Sequence, residues 1–177
     1  MTYKMFFAGS GGQGVLMMGQ AIAYAAMMEG KEVTFMPSYG PEMRGGTANC
    51  TVIVSDKPIS CPLINEADAV VVMNPPSLTK FESMVSPGGK LFVNTSLIDF
   101  APTRTDVEIT DIAANDVAKD IGLARSANIV MLGAVAQGVG IVSAASVRKV
   151  MSKLFSGSKA HLLEPNLKAL DVYLKGE

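Results

Sequence analysis

The chain has 177 residues, of which 49% are hydrophobic and 18% are charged, a globular composition that excludes a disordered protein. This length suits one domain, residues 1–177, with a single hydrophobic core. The formal net charge is -1 and no segment is rich in Lys or Arg, so nucleic acid is not an expected partner.

Cysteine usage indicates a reducing, cytoplasmic location. Cys50 and Cys61 are the only cysteines, and the N-terminal segment has too short an apolar run for a secretory signal. Two Cys and one His, His161, cannot complete a four-cysteine iron–sulfur site or a closed zinc site. No metal is therefore expected in this chain.

Four continuous apolar runs bounded by turns predict strands that are buried on both faces of a parallel sheet. They are residues 4–8, 32–36, 67–73 and 90–94. A helix closed by Gly30 separates the first two runs, and a shorter helix capped by Ser77 separates the last two. Residues 49–55 alternate in polarity and are predicted to form, with the segment around Ile59, an antiparallel hairpin at the sheet edge.

The C-terminal part is predicted to be helical. Residues 128–147 are uncharged over nearly a membrane-spanning length, but internal glycines divide them and Ser143 can cap a new helix, which favours two buried helices over a membrane span. The predicted helices are residues 113–121, 127–137, 144–155 and 164–174. The fold class is therefore α/β: a three-layer Rossmann-like domain with a mostly parallel sheet, an added antiparallel edge hairpin and C-terminal helices.

A glycine-rich loop follows the first strand and opens the first helix. Its members are Gly9, Ser10, Gly11, Gly12, Gln13 and Gly14. The glycines at its first, third and sixth positions satisfy the G-x-G-x-x-G pattern. They allow a tight turn with exposed backbone N–H groups, and the helix N-terminus adds a partial positive charge, so the loop is a candidate phosphate site.

The second strand lacks the residue that a dinucleotide site needs. An Asp or Glu should end that strand and hold the ribose hydroxyls, but Met36 and Pro37 stand there instead. The sequence therefore argues against a nicotinamide dinucleotide. A free-standing NAD(P)-binding Rossmann oxidoreductase stays open as an alternative.

A second glycine-rich loop, residues 37–49, is expected beside the first, because loops after parallel strands gather at one edge of a sheet. In it, Arg44 suits a phosphate and Tyr39 suits a flat base. For Arg44 and Glu42, a local ion pair or a contact with another subunit stays open. Further polar residues predicted at this edge are Asn74, Ser77, Asn94, Thr95 and Ser96.

The residues by themselves indicate no catalytic group. The sequence has no nucleophile elbow, no GKS or GKT phosphate loop, no second His to pair with His161 and no Gly-Asp-Gly segment of the thiamine-diphosphate type. The chain is therefore predicted to be a binding module.

The segments GSGGQGV and SYGPEMRGGTANCTVIVS, with ADAVVVMN and PGGKLFVNTSLI, resemble the gamma subunit of 2-oxoacid:ferredoxin oxidoreductases over nearly the whole chain. The resemblance implies a complex that decarboxylates a 2-oxoacid on thiamine diphosphate, passes electrons through iron–sulfur clusters to ferredoxin, and transfers the acyl group to coenzyme A. Thiamine diphosphate, Mg and the clusters are then expected in partner alpha, beta and ferredoxin-like (delta) subunits. The gamma subunit is expected to help bind coenzyme A and to close over the active site.

Matched position by position, the resemblance implies cofactor-binding residues in both loops. The first loop contributes Gly9, Ser10, Gly11, Gly12, Gln13 and Gly14, and the second contributes Tyr39, Gly40, Glu42, Arg44, Gly45 and Gly46. The segment RGGT at residues 44–47 resembles the 2-oxoglutarate branch, with indolepyruvate and branched-chain relatives as alternatives. A purely structural subunit, whose glycine loop contacts only protein, is the alternative to a coenzyme A role.

Overall fold

A six-stranded mixed sheet forms the centre of the described part of the chain. The computed structural model describes residues 1–38 and 47–176. The strands are β1 (Thr2–Ser10), β2 (Glu32–Ser38), β3 (Thr47–Ser55), β4 (Ala67–Val72), β5 (Val85–Asn94) and β6 (Glu108–Ile112). Their order is β2-β3-β1-β4-β5-β6; β1, β4, β5 and β6 pair in parallel, whereas β3 is antiparallel to both of its neighbours.

Helices connect the strands and follow the sheet. The connecting helices are α1 (Val15–Met28) and α2 (Pro75–Phe81). The C-terminal helices are α3 (Ala114–Asp120), α4 (Ala127–Val139), α5 (Ala144–Leu154) and α6 (Leu163–Asp171). The predicted α/β class, with its C-terminal helices, is confirmed.

The helices cover the two faces of the sheet unequally. Met5 and Phe7 of β1 join a large buried cluster with α1, α3, α4, α5 and α6, whereas Phe6 and Ala8 join a smaller cluster with α2. Successive residues of a strand point to opposite faces, so an uninterrupted apolar run is what a covered strand requires. This sheet between two helical layers is the predicted three-layer arrangement.

The antiparallel pair at the sheet edge is confirmed, but its partners differ from the prediction. β3 contains residues 49–55, yet it pairs with β2 and β1, and residues 58–60 around Ile59 form no strand. The side chains of β3 are buried continuously from Cys50 to Ser55. A strand this buried needs backbone hydrogen-bond partners on both sides, and an interior position between β1 and β2 supplies them.

One local prediction is corrected, and one strand was missed. Asn74, not Ser77, is the N-cap of α2, because Asn74 Oδ1 accepts from the Ser77 N–H at 3.1 Å and two prolines follow it in the first turn. The edge strand β6 was not predicted at all. Its residues are largely exposed, so it lacks the apolar run by which the other parallel strands were found.

The uncharged residues 128–147 are divided between α4, a short connection and α5, so they form two helices as predicted. α4 ends at Val139, with Gly140 in a left-handed conformation of φ 66°. Ser143 caps α5, its Oγ accepting from the Ser146 N–H at 3.2 Å. None of the helices in the described residues is both long enough and apolar enough to cross a membrane.

Glu29 connects the end of α1 to the start of α5. Its Oε1 accepts from the Ser143 N–H at 2.7 Å. Partial burial raises the pKa of this carboxyl, but the Ser143 N–H, the Ser146 hydroxyl and the charge of Lys31 outweigh burial and lower the pKa below its ordinary value. The ionised carboxylate therefore stabilises the folded protein.

Replacing Glu29 with Gln is expected to lower the free energy of unfolding at neutral pH by about 1 kcal/mol or less, since the site is exposed. The folded pKa lies below the ordinary value of 4.5, so this contribution is complete above that pH and is lost as the pH falls through the folded pKa. Urea unfolding should therefore show wild type and variant differing at neutral pH and converging at acid pH, once the Glu29 carboxyl is protonated in the folded protein. An equal difference at both pH values would contradict this account.

Candidate functional site

The first glycine loop turns sharply between β1 and α1. Gly12 and Gly14 have φ values of 88° and 71°, a left-handed conformation that glycine adopts without steric strain. Gly14 is the N-cap of α1, and the helix start has neither a side-chain cap nor an acidic residue in its first turn. The positive end of the helix dipole is therefore not neutralised locally.

The side chain of Gln13 holds this loop against the next strand. Its Oε1 accepts from the Ser10 N–H at 2.7 Å, and its Nε2 donates at 3.3 Å to the carbonyl of Met73, directly after β4. The Gln13 N–H also donates to the Ser10 carbonyl at 3.2 Å. The Gln13 amide thus fixes the shape of the loop.

Two glycines allow close packing that a side chain would prevent. A Cβ at Gly9 would lie 2.7 Å from Gln13 Oε1 and 2.9 Å from Met73 Cβ. A Cβ at Gly14 would overlap the side-chain amide of Asn128 in α4. The loop therefore lies directly against β4 and α4, which brings the N-termini of α1 and α4 together.

A cavity of about 500 Å³ lies where these two helix N-termini meet. It is lined by Gly12, Gln13, Gly14, Met73, Asn115, Ala124, Arg125, Ala127 and Asn128. This volume is within the range of small-molecule sites in proteins.

Arg125 carries the only formal charge among the residues that line this cavity in the described part of the chain. It lies in a 3₁₀ turn, Ala124–Ser126, and its side chain is exposed. α4 begins directly after this turn, without a side-chain cap and without an acidic residue in its first turn. A guanidinium beside two helix N-termini favours an anion such as a phosphate.

Sequence reasoning missed Arg125, Asn115 and Asn128. It looked for site residues on loops that follow strands, whereas Arg125 lies on the turn between two helices, α3 and α4. The available signal was the segment GLARSAN, in which an arginine precedes a helix start that lacks an acidic residue.

The polar residues predicted at this edge have separate roles. Asn94 donates to Asn115 Oδ1 at 2.8 Å and so reaches the wall of the cavity. Ser77 and Asn74 instead belong to the start of α2, and the Ser96 hydroxyl donates to Asp116 at 2.8 Å. Thr95 lines a different cavity.

The second-loop residues Tyr39, Gly40, Glu42, Arg44, Gly45 and Gly46 lie outside the described residues. The residues that flank them are placed by the sheet register, with Ser38 opposite Asn49 and Thr47 opposite Ser10. Ser10 is the last residue of β1 and belongs to the first glycine loop, so the end of β1 and the start of β3 are neighbours at the edge that holds the cavity. The roles of the second-loop residues stay predictions.

The strand order argues against a nicotinamide dinucleotide. In a Rossmann site the strand after the first helix lies next to β1, and an acid at its end reaches the ribose. Here β3 separates β2 from β1, which places the end of β2 about 10 Å from β1. The missing acid and the inserted strand are two separate observations against a ribose contact at the end of β2.

Cys50 lies beneath α1 as a packed neutral thiol. It is fully buried, and burial raises its pKa to about 12. A Cβ at Gly19 would lie 2.5 Å from its Sγ. Cys61 is a separate exposed free thiol, and residues 1–38 and 47–176 contain no group of three His, Cys, Asp or Glu that could hold a metal ion.

Comparison with known proteins identifies the family to which this arrangement belongs. Residues 4–173 match the family model for pyruvate ferredoxin/flavodoxin oxidoreductase. The chain belongs to this family. The match extends from β1 to the end of the C-terminal helices, so it includes every element that borders the cavity.

Two curated members illustrate the range of this oxidoreductase family. Ketoisovalerate oxidoreductase subunit VorA of Methanothermobacter marburgensis is 38% identical over 169 residues, covering 95% of this chain and 35% of VorA. The chain thus spans about a third of the length of VorA. 2-Oxoglutarate synthase subunit KorC of Methanocaldococcus jannaschii is 34% identical over 155 residues, covering 85% of this chain and 82% of KorC.

Solved structures of family members have the same fold. The gamma subunit of a keto/oxoacid ferredoxin oxidoreductase from Geobacter sulfurreducens superposes with a TM-score of 0.81 at 32% identity, covering 96% of this chain and 94% of that one. A 2-oxoglutarate:ferredoxin oxidoreductase from Magnetococcus marinus, with 2-oxoglutarate, coenzyme A and succinyl-CoA bound, superposes with a TM-score of 0.88 at 26% identity, covering 97% of this chain and 30% of that one. This member of the pyruvate ferredoxin/flavodoxin oxidoreductase family is therefore of the gamma type, as the sequence resemblance predicts.

Proposed function

We propose that residues 1–177 form one gamma-type domain that works in a thiamine-dependent 2-oxoacid:ferredoxin oxidoreductase, where it helps to bind coenzyme A and to close the active site. The complex would convert a 2-oxoacid to an acyl-CoA by oxidative decarboxylation and pass the electrons to ferredoxin. Thiamine diphosphate, Mg and the iron–sulfur clusters belong to partner alpha, beta and ferredoxin-like subunits in this proposal.

The cavity between α1 and α4 is the observation that carries the coenzyme A role. Coenzyme A is rich in phosphate, and two helix N-termini together with Arg125 supply the complementary positive charge. The Magnetococcus marinus oxidoreductase with coenzyme A bound supports the same ligand class for this fold. In the second loop, Arg44 is proposed to add a phosphate contact and Tyr39 a stacking surface for the base.

Two substrate branches have specific support. The RGGT segment resembles the 2-oxoglutarate branch, and KorC of Methanocaldococcus jannaschii is a 2-oxoglutarate synthase subunit at 34% identity. Ketoisovalerate oxidoreductase VorA has 38% identity, which favours a branched-chain 2-oxoacid. Assaying the purified complex with 2-oxoglutarate, 2-oxoisovalerate and pyruvate separates the branches by their kcat/KM values.

Replacing Arg125 with Ala is expected to raise the KM for coenzyme A about tenfold in the complex, because a charge-assisted contact to phosphate is lost. Steady-state assays at saturating 2-oxoacid measure this KM. Arg125→Lys keeps the charge without the guanidinium fork and should give a smaller rise. An unchanged KM in Arg125→Ala would overturn the proposed coenzyme A role of this cavity.

The structural alternative makes the opposite prediction. If the glycine loop contacts only protein, loop substitutions should weaken assembly of the subunits and leave the KM for coenzyme A unchanged. Purification from the native host tests assembly, since the proposal expects larger subunits with thiamine diphosphate and iron–sulfur clusters to copurify with the chain. Isolation of a free chain that binds NAD or NADP at micromolar concentration would favour the dinucleotide alternative instead.

A further inference from the structure

The Met73 carbonyl, directly after β4, joins the two sides of the cavity. Gln13 Nε2 donates to it at 3.3 Å from the glycine loop, and Asn94 Nδ2 donates to it at 3.2 Å from the end of β5. Asn94 is fully buried, and its Nδ2 also donates at 2.8 Å to Oδ1 of Asn115, which lines the cavity. One carbonyl thereby connects the loop on one wall to Asn115 on the other.

The position of Asn94 requires a carboxamide. Its Oδ1 accepts from the Ala114 N–H at 3.2 Å, at the start of α3, while its Nδ2 donates to the Met73 carbonyl. A backbone N–H can only donate and a backbone carbonyl can only accept, so the side chain must supply an acceptor and a donor together. These two backbone partners also fix which end of the Asn94 amide is the nitrogen.

The same argument holds for Gln13 on the other side of the carbonyl. Its Oε1 accepts from the Ser10 N–H and its Nε2 donates to the Met73 carbonyl. A carboxylate in either position would keep the acceptor and lose the donor. Both amides are thus needed to fill the two acceptor positions of one carbonyl.

We propose that Asn94 is a positioning residue for coenzyme A. Through its hydrogen bonds to the Met73 carbonyl and Asn115, it fixes the shape of the cavity before the ligand binds, and it does not touch the ligand. This inference rests on the proposed coenzyme A role of the cavity. Without the Asn94 donor, the end of β4 and Asn115 are released from each other, and the ligand must order them as it binds. That ordering lowers affinity while the chemical step keeps its rate.

The experiment measures coenzyme A kinetics of the whole complex carrying Asn94→Asp across the pH range in which wild type is active. The KM for coenzyme A should rise about tenfold toward alkaline pH and kcat should change less than about twofold. The ratio of variant to wild-type KM should fall as the pH decreases, because a protonated carboxyl regains one O–H donor. Asn74→Asp is the matched control: the Asn74 cap uses only an acceptor, which a carboxylate keeps, so its KM should equal that of wild type.

Each outcome decides the inference. A KM ratio of one at every pH for Asn94→Asp, in a complex whose KM does respond to Arg125→Ala, overturns the positioning role and leaves the proposed function standing. An unchanged KM in Arg125→Ala as well overturns both. If Asn94→Asp fails to assemble, Asn94→Ser takes its place, because it adds no charge and has one short hydroxyl where the native side chain supplies a separate donor and acceptor. A raised KM for coenzyme A with kcat retained supports the inference, and an unchanged KM overturns it.

Discussion

Replacing Gly14 with Ala is expected to lower kcat/KM for coenzyme A on the order of 100-fold, because a shift of about 1 Å in residues that position a ligand can cost that much. Gly14 has φ 71°, so an alanine there carries about 1–2 kcal/mol of backbone strain. Its Cβ would also overlap the Asn128 side chain, which must move together with the start of α1 or of α4. Coenzyme A kinetics of the complex, compared with thermal unfolding, measure the two consequences separately.

Gly12→Ala is the matched control for this effect. Gly12 has φ 88°, so the backbone strain is similar, but a Cβ there would meet nothing within 4 Å. Its effect on kcat/KM should therefore stay below about tenfold. Equal losses in the two variants would mean that strain in the loop, and not its contact with α4, sets the shape of the cavity.

Replacing Gly133 with Ala is expected to destabilise the protein by about 2–3 kcal/mol, which lowers Tm by about 5–10 °C. Gly133 lies within α4, and its Cβ would overlap the backbone carbonyl of Leu170 in α6. A backbone carbonyl inside a helix cannot rotate away, so α4 and α6 must separate. Thermal and urea unfolding of the isolated variant measure the loss.

Gly138→Ala on the same helix provides the comparison. Its Cβ would lie 2.9 Å from two atoms of the Phe92 ring, and a ring can shift where a backbone cannot. The higher helix propensity of alanine offsets part of the remaining cost. We expect a loss of less than about 1 kcal/mol, and similar losses for the two variants would contradict the role of the Leu170 carbonyl.

Separation of α4 from α6 should also disturb the turn that borders the cavity. Asn166 of α6 accepts from the Ser126 hydroxyl at 2.9 Å and donates to the Leu162 carbonyl at 2.8 Å. Ser126 is buried and lies next to Arg125 in the chain. The C-terminal helix thus supports the turn that carries the single cation of the described cavity lining.

The elements that the sequence predicted well have local causes. The break between α4 and α5 follows from Gly140 and Ser143, which end one helix and cap the next by contacts within a few residues. The strands β1, β4 and β5 are uninterrupted apolar runs because helices cover both of their faces.

The features that the sequence did not predict depend on pairing between distant segments. The alternation in residues 49–55 indicates a strand but does not determine its neighbours, which the register with β1 and β2 decides. The carboxamide of Asn94 was placed at the correct edge, but its three partners come from Met73, directly after β4, and from Ala114 and Asn115 at the start of α3. No spacing along the chain encodes such a convergence.

The reversed direction of β3 determines where the segment between β2 and β3 is attached to the sheet. Because β2 and β3 run in opposite directions, the connection between them leaves the sheet at Ser38 and returns at Thr47 on the same rim. Its two attachment points are fixed by backbone pairing that does not depend on the sequence in between. Replacement of the residues between Ser38 and Thr47 should therefore leave both attachment points held by the same backbone pairing.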